Sequence, residues 1–154
     1  AASTPRVLGA GWQMLHITGE GRGDGAEALP GLVVQTYCDR MDLAFAVADL
    51  AVCRAGAATV SELAAVGLPS VLVPYPVGNG EQELNARELV SAAGARLVKD
   101  AEFTPEWVAR ELVPLLERRD VIAAMAAAAS GVGRRDGAGE LLRLVRETLS
   151  THPA

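Results

Sequence analysis

The sequence predicts an α/β fold: a Rossmann-like, doubly wound parallel sheet that ends in several helices. Up to Thr104, short apolar runs alternate with longer helical patterns. The runs are nearly continuous in hydrophobicity, which is typical of parallel strands that helices cover on both faces. After Thr104 the strand pattern stops, and helical patterns follow one another. Regular alternation of strand and helix implies right-handed crossovers and therefore a doubly wound sheet.

The predicted strands are the five short apolar runs 14–18, 32–37, 50–53, 70–73 and 95–98. The predicted helices are 41–48, 60–66, 82–93, 105–117, 121–129 and 138–149. Gly67 predicts a helix stop two residues before a proline, and Thr104 predicts a helix start just before another proline. Asp120 and Asp136 are predicted to cap the last two helices. The charged, glycine-rich segment 20–28 is expected to be mobile.

Length and composition indicate one globular domain. The 154 residues are enough to bury a core without disulfides, so residues 1–154 are predicted to form a single domain. Half of the residues are hydrophobic and 21% are charged, which excludes a disordered chain. The net charge of -5 argues against nucleic acid as a partner, because phosphate contacts need clustered Lys and Arg. No apolar run in the sequence is long enough to cross a bilayer.

The sequence predicts neither a metal site nor a self-sufficient catalytic centre. Cys38 and Cys53 lie in apolar segments and are expected to be reduced, and no Cys-x-x-Cys or His-x-x-x-His spacing occurs. No Ser-His-Asp, Cys-His or paired-carboxylate arrangement can be assembled from the motifs. The chain is therefore expected to bind a ligand rather than to catalyse a reaction alone.

One strand-to-helix junction, segment 53–59, has the features of a phosphate site. Ligands of open parallel sheets bind beyond the carboxyl ends of the strands. Small residues from Ala55 to Ala58 let a ligand approach the backbone, and the helix is expected to begin near Thr59. The free amides of its first turn suit a phosphate. Glu62, one turn further along, would accept hydrogen bonds from ribose hydroxyls.

The same four residues also allow a purely structural interpretation. Residues 59–62, Thr-Val-Ser-Glu, match the capping box, in which the first and last side chains satisfy each other's backbone amides. Glu62 would then stabilise the helix start by about 1 kcal/mol and bind nothing. On the four residues alone, the structural interpretation is favoured.

A second junction, segment 74–85, follows the next predicted strand. Prolines and glycines shape its turn, and Glu81, Gln82 and Asn85 place polar groups at the start of the following helix. Side-chain amides suit sugar hydroxyls because each can both donate and accept hydrogen bonds. Taken alone, a turn followed by a polar helix start is the favoured interpretation.

Four motifs together resemble the C-terminal domain of the MurG family of N-acetylglucosamine transferases, which have the GT-B fold. They are segments 42–49, 53–63 (Cys-Arg-Ala-Gly-Ala-Ala-Thr-Val-Ser-Glu-Leu), 67–69 and 79–86 (Asn-Gly-Glu-Gln-x-x-Asn-Ala). The resemblance extends from about residue 15 to residue 149. Members of the family move N-acetylglucosamine from UDP onto lipid-linked muramyl-pentapeptide in peptidoglycan synthesis. The resemblance therefore implies the donor-binding half of an inverting glycosyltransferase.

The resemblance also implies which residues bind the donor. In chain order they are Cys38, Arg54, Gly56, Ala57, Ala58, Thr59, Glu62, Glu81 and Gln82. The backbone of Cys38 would read the uracil ring, and residues 57–59 at the helix start would hold the diphosphate. Glu62 would bind both ribose hydroxyls.

Three further roles follow from the motif around the sugar. Gln82 would recognise hydroxyls of the N-acetylglucosamine. Glu81 lies beside it at a position where some members carry glutamine, so its own sugar contact departs from the family pattern. Arg54 and Gly56 belong to the motif, and their expected role is local positioning.

Parts of the family's enzyme have no counterpart in this sequence. These are the N-terminal domain, with its acceptor-binding loops, membrane-facing patch and general base, and a first strand with a Gly-Gly-Ser phosphate loop. The chain is thus expected to be truncated on its N-terminal side and to contain no catalytic residue. Neither cofactor nor metal is expected, because the helix dipole would stabilise the leaving diphosphate. The parent would be cytoplasmic and peripheral on the membrane, and would meet the lipid-linked acceptor through the missing domain.

Two alternatives remain open at the level of sequence. One is a related GT-B transferase or epimerase that takes another UDP-sugar. The other is a non-catalytic nucleotide-binding module, which would show no preference for UDP-sugars over other nucleotides. Competition between UDP-N-acetylglucosamine, UDP-glucose and UDP-galactose separates the first alternative from an N-acetylglucosamine transferase.

Overall fold

The computed structural model describes residues 2–21, 28–134 and 136–151. Most of the segment 20–28, which was expected to be mobile, lies outside the described residues. The strands are β1 (Met14–Ile17), β2 (Leu32–Gln35), β3 (Ala51–Cys53), β4 (Ser70–Leu72) and β5 (Ala95–Leu97). The α-helices are α1 (Thr4–Gly9), α2 (Met41–Val47), α3 (Ala57–Val66), α4 (Glu81–Ser91), α5 (Pro105–Trp107), α6 (Val113–Glu117), α7 (Arg119–Val132) and α8 (Gly137–Thr151).

The described strands form two parallel sheets, β1-β2 and β3-β4-β5. Met14 pairs with Leu32 in the first sheet, and Ser70 pairs with both Ala51 and Ala95 in the second. Helices α3 and α4 connect successive parallel strands of the second sheet. The α/β class predicted from the sequence is therefore confirmed, as is the run of helices after the last strand.

The sheets differ in how far helices cover them. The central strand β4 is buried along its whole length, as expected for a parallel strand covered on both faces. Residues of β1 and β2 instead alternate between half-buried and exposed. The prediction that helices cover every strand on both faces is right for β4 and wrong for the β1-β2 pair.

The core lies on both sides of β4. Val71 and Val73 belong to one buried cluster, together with Val7 and residues of the last helices, including Leu115 and Met125. The cluster on the other face contains Leu72 and buried residues of α3, α4 and α7, namely Leu63, Leu89 and Ala129. Alternate side chains of a strand point to opposite faces, so the two clusters sandwich the sheet. This two-sided core is the physical content of the doubly wound fold.

Three of the predicted helix boundaries are confirmed by specific contacts. Helix α3 ends at Gly67, whose φ of 73° is the left-handed conformation that glycine adopts without strain. The Thr104 hydroxyl accepts a hydrogen bond from the Trp107 amide at 3.2 Å. The Asp136 carboxylate accepts one from the Gly139 amide at 2.9 Å.

Three other details differ from the prediction. Asp120 does not cap α7, because the helix begins at Arg119 and Asp120 lies in its first turn. The predicted helix 105–117 is helical throughout but contains a π-helical segment, Val108–Leu112, between α5 and α6. Helix α1 is not predicted from the sequence, and its residues Thr4 and Val7 are buried. None of the helices in the described part of the chain is long and apolar enough to span a membrane.

Candidate functional site

Helix α3 begins three residues earlier than the sequence predicted. Its N-cap is Gly56, and no side chain supplies a capping hydrogen bond there. The Val60 amide donates to the Gly56 carbonyl at 2.9 Å, which is the first intrahelical bond. The amides of Ala57, Ala58 and Thr59 precede that bond, so they have no carbonyl partner within the helix. Three donors thus lie at the positive end of the helix dipole.

The earlier start rules out the capping-box interpretation of Glu62. A capping box pairs the N-cap residue with the third helical residue. With Gly56 as the N-cap, the third helical residue is Thr59, and Glu62 lies in the next turn. Residues three and four apart share a helix face, so Glu62 lies beyond Ala58 and Thr59 on the same side of α3. Its side chain is exposed. The carboxylate is therefore available for a ligand near the helix start.

The backbone before α3 leaves room for a ligand. Gly56 has φ -64° and ψ 147°, a conformation that any residue adopts. A Cβ atom placed there would lie 4.0 Å from the Thr59 hydroxyl and clash with nothing. Neither packing nor a special backbone conformation therefore requires a glycine at this position, although glycine is a favourable N-cap residue. Close approach of a ligand to the backbone would explain it.

The structure joins the two predicted junctions through Gln82. Its Oε1 accepts hydrogen bonds from the amides of Ala55, at 3.2 Å, and Tyr75, at 2.9 Å. Because both partners are N–H donors, the oxygen and nitrogen of the Gln82 amide are assigned unambiguously. Asn85 adds a third link, since its Nδ2 donates to the Ala55 carbonyl at 3.2 Å. The Nε2 of Gln82 remains to donate to an acceptor outside this network.

Arg54 ties the same region to the end of the neighbouring strands. Its Nη1 donates to the carbonyls of Val73 and Pro74, both at 3.2 Å, and to the Asp100 carboxylate. Its guanidinium also lies 5.6 Å from the centre of the Tyr75 ring. Arg54 thus holds the backbone after β4 through Nη1, and its positioning role stays a prediction.

Asp100 and Tyr75 are residues of this site that the sequence analysis missed. Tyr75 follows β4, which is the direct neighbour of β3, and Asp100 follows β5 on the far side of β4, so both lie beyond carboxyl ends of strands in this sheet. The predicted parallel sheet already pointed to the residues after its last strand, because the carboxyl ends of parallel neighbours meet at one edge of a sheet. Segments 53–59 and 74–85 cover the ends of β3 and β4 but not that of β5, and within segment 74–85 Tyr75 is interpreted only as part of a turn.

Glu81 and Cys38 are less closely connected to this region. Glu81 is exposed in the first turn of α4, where a carboxylate also favours the helix dipole. Cys38 lies three residues after β2, since that strand ends at Gln35 rather than at residue 37 as predicted. It is half-buried, and no hydrogen bond among the described residues joins it to the β3–α3 junction. The roles of both residues stay predictions.

The second cysteine has a distinct environment. Cys53 ends β3, and burial raises the pKa of its thiol to about 11. Such a thiol stays protonated near neutral pH and is a poor nucleophile or metal ligand. Within the described ranges, no group of three or more His, Cys, Asp or Glu side chains could hold a metal ion.

A groove of about 770 Å³ lies elsewhere, between α2, the end of α3 and α7. Its lining includes Phe45, Pro69 and Arg119 but none of the predicted donor-binding residues. Pro69 precedes β4, so the groove adjoins the opposite end of that strand from the α3 junction. Size alone does not identify it as the functional site, because the polar network lies around Gln82.

Residues 6–141 match the model of the glycosyltransferase family 28 C-terminal domain. The chain belongs to this family. It is 53% identical over 151 residues to the UDP-N-acetylglucosamine--N-acetylmuramyl-(pentapeptide) pyrophosphoryl-undecaprenol N-acetylglucosamine transferase of Leifsonia xyli subsp. xyli, covering 97% of this chain and 42% of the relative. A Streptomyces collinus protein of the same name is 46% identical over 151 residues, again with 42% of the relative covered. The chain thus spans less than half the length of these relatives.

Solved structures agree with the sequence relatives. The crystal structure of Acinetobacter baumannii MurG superposes with a TM-score of 0.77 at 28% identity, covering 88% of this chain and 41% of that one. A kitacinnamycin glycotransferase superposes with a TM-score of 0.66 at 22% identity and supports the fold alone. This glycosyltransferase family 28 domain therefore matches the C-terminal domain of MurG, as the motifs suggested.

Proposed function

We propose that this chain binds UDP-N-acetylglucosamine as the donor half of an inverting transferase that glycosylates a lipid-linked N-acetylmuramyl-pentapeptide. The observation that carries the proposal is the hydrogen-bonded connection of the α3 start to Gln82. Ala55, which precedes the N-cap Gly56, donates to Gln82, so the free amides of the α3 start and the Gln82 amide belong to connected segments, and Glu62 is exposed one turn further along α3. A nucleoside diphosphate sugar needs this combination of groups. The 53% identity to a relative so named supports the choice of sugar and acceptor.

The proposed contacts divide the donor into four parts. The amides of residues 57–59 hold the diphosphate, because helix N-termini donate hydrogen bonds and favour negative charge. Glu62, one turn away, accepts from the ribose hydroxyls, since its charge would be repelled by the phosphates themselves. The backbone of Cys38 reads uracil. Gln82 donates from Nε2 to a sugar oxygen, with Glu81 beside it.

The proposed reaction is a displacement at the anomeric carbon of the sugar. An acceptor hydroxyl attacks that carbon, the bond to the diphosphate breaks, and UDP leaves with the electron pair. Negative charge grows on the diphosphate as this bond breaks, so the helix dipole of α3 stabilises the transition state more than the bound donor. The acceptor site and general base are assigned to the part of the relatives that this chain does not span. Residues 1–154 alone are therefore expected to bind donor and transfer nothing.

The acceptor also suggests where the reaction occurs. A lipid-linked acceptor lies in a membrane, whereas a UDP-sugar is a water-soluble nucleotide. We therefore propose that the whole protein works at the cytoplasmic face of the membrane, with its contacts to lipid made outside residues 1–154.

Calorimetric titration of UDP-N-acetylglucosamine, UDP-glucose, UDP-galactose and ADP into residues 1–154 tests the proposal. We expect UDP-N-acetylglucosamine to bind more tightly than the other two UDP-sugars and ADP to give no heat. Equal affinity for ADP and the three UDP-sugars would indicate a general nucleotide-binding module. A preference for glucose or galactose would indicate a transferase or epimerase with another donor. Measurable sugar transfer by residues 1–154 alone would contradict the assignment of the base to the part of the relatives that this chain does not span.

A further inference from the structure

Arg54 lies where three strand ends meet, and its contacts join all three. It follows β3, whereas Val73 and Pro74, whose carbonyls it binds, follow β4. The Asp100 carboxylate, which follows β5, completes the set. A single guanidinium therefore connects the carboxyl ends of the three strands of this sheet.

The backbone that Arg54 holds is also the backbone that orients Gln82. The two amides bound to Gln82 Oε1 belong to Ala55 and Tyr75. Ala55 is the residue after Arg54, and Tyr75 is the residue after Pro74, which Arg54 binds. A shift of either segment would move one of the two donors that fix the amide of Gln82.

A purely stabilising role explains this arrangement less well. The side chains of Arg54 and Asp100 are 49% and 36% exposed. Ion pairs this exposed contribute little to stability, because water already solvates both charges. The guanidinium makes its contacts at the mouth of the sheet, where Val73 is the one partner that belongs to a core cluster.

We propose that Arg54, held by Asp100, is a positioning residue that sets the orientation of the Gln82 amide. It thereby controls how much the sugar adds to donor affinity, without touching the donor. This inference rests on the proposed function, since it takes Gln82 Nε2 as the group that meets the sugar. Arg54 then affects how strongly the site prefers UDP-N-acetylglucosamine over UDP. It does not affect how strongly the nucleotide itself binds.

The test compares UDP with UDP-N-acetylglucosamine by calorimetry on the full 154-residue chain. The variants are Arg54→Gln, Asp100→Asn and Gln82→Ala, and the matched control is Arg110→Gln, which removes an exposed ion pair with Glu111. The dissociation constant of UDP divided by that of UDP-N-acetylglucosamine should fall by about 3- to 10-fold in the first three variants, as expected for one lost hydrogen bond. The UDP affinity itself and the control's ratio should not change.

Two outcomes would overturn the inference. An unchanged ratio in Arg54→Gln would show that Gln82 does not depend on Arg54. A loss of UDP affinity equal to the loss of UDP-N-acetylglucosamine affinity would show that Arg54 contacts the nucleotide itself.

Hydrogen exchange tests the positioning step without any ligand. The amides of Ala55 and Tyr75 should be protected in the wild type and exchange faster in Arg54→Gln, while the core amide of Leu72 stays protected. Equal protection of Ala55 and Tyr75 in both proteins would refute positioning. If the wild type binds neither UDP nor UDP-N-acetylglucosamine, but Arg54→Gln still speeds exchange at Ala55 and Tyr75, the proposed function is refuted and the positioning role of Arg54 stands.

Discussion

At the scale of single residues, Glu62 can be tested as a ligand contact against its alternative role as part of a helix cap. The side chain is exposed and lies one turn past the position that a capping box requires. We expect Glu62→Gln to weaken UDP binding about 10- to 100-fold, because hydrogen bonds to a charged group are worth about 1.5–3 kcal/mol. The melting temperature should stay within about 1 °C of wild type, since the substitution is exposed and leaves the core intact.

Calorimetry and thermal melting of Glu62→Gln check this prediction together. Glu117→Gln is the matched control, because Glu117 is an equally exposed carboxylate at the end of α6. Equal UDP affinity in Glu62→Gln and Glu117→Gln would show that Glu62 does not contribute to UDP binding.

Cys53 gives a second prediction at this scale. Burial raises the pKa of its thiol from 9.0 to about 11, so the folded chain keeps a proton that the unfolded chain releases between these values. Stability should fall as pH rises through this window, because the unfolded state binds fewer protons there. At pH 8 the thiolate population is about 100-fold lower than in the unfolded chain, since each pKa unit is a factor of 10.

Thiol titration with a disulfide reagent at pH 8 measures this difference. In a Cys38→Ser variant the remaining thiol should react at least about 100-fold more slowly in buffer than in urea, because only the thiolate reacts. Similar rates in the two conditions would mean that Cys53 is not shielded by the fold. A Cys53→Ser variant supplies the rate of Cys38 for comparison.

At the scale of elements, the start of α3 is the feature that decides the site. Gly56→Ala fits the backbone and clashes with nothing. Alanine is a poorer N-cap than glycine, which lowers stability, but it also reduces the entropy of the unfolded chain, which raises stability. The free energy of unfolding should therefore change by less than about 1 kcal/mol. The added methyl group would occupy the space that a phosphate needs. We therefore expect UDP affinity to fall by about 10-fold or more, or about 1.4 kcal/mol.

The control for this substitution is Gly131→Ala, at a position in α7 where an added Cβ also meets nothing. It should leave UDP binding unchanged in the same calorimetric assay. If Gly56→Ala also binds UDP normally, the ligand does not approach the backbone before α3.

Comparison of predicted and observed elements shows which physical signals a sequence contains. The strands were located within two residues because short apolar runs predict strands, even in β1 and β2, where alternate residues are exposed. The start of α3 was misplaced because Thr59 has a good capping side chain, whereas the actual cap at Gly56 uses none. The hydrogen bonds of Gln82 to the amides of Ala55 and Tyr75 were not predictable, since they depend on how the two segments pack, whereas the place of Asp100 beyond a strand end follows from the parallel sheet. Sequence patterns report local preferences, and the site depends on tertiary pairing.

At the scale of the whole molecule, binding and stability are located in different parts of the fold. The polar network lies beyond the carboxyl ends of β3, β4 and β5, whereas the two core clusters lie on the faces of β4. In an open parallel sheet this division is general, because the faces are covered by helices and the strand ends are not. Residues at the strand ends can therefore change specificity at small cost in stability.

The last prediction tests this division with a substitution in the core. Leu72 is completely buried on the face of β4 that α3 and α4 cover. Leu72→Ala should lower the free energy of unfolding by about 2–5 kcal/mol, because it removes buried methyl groups and leaves a cavity. Leu141→Ala on α8, where the side chain is 63% exposed, is the matched control and should change stability by less than about 0.5 kcal/mol. Urea denaturation measures both changes. Equal losses of stability in the two variants would mean that the β4 cluster is not the core. A folded Leu72→Ala variant that still prefers UDP-N-acetylglucosamine would show that specificity depends on the strand ends and not on this core residue.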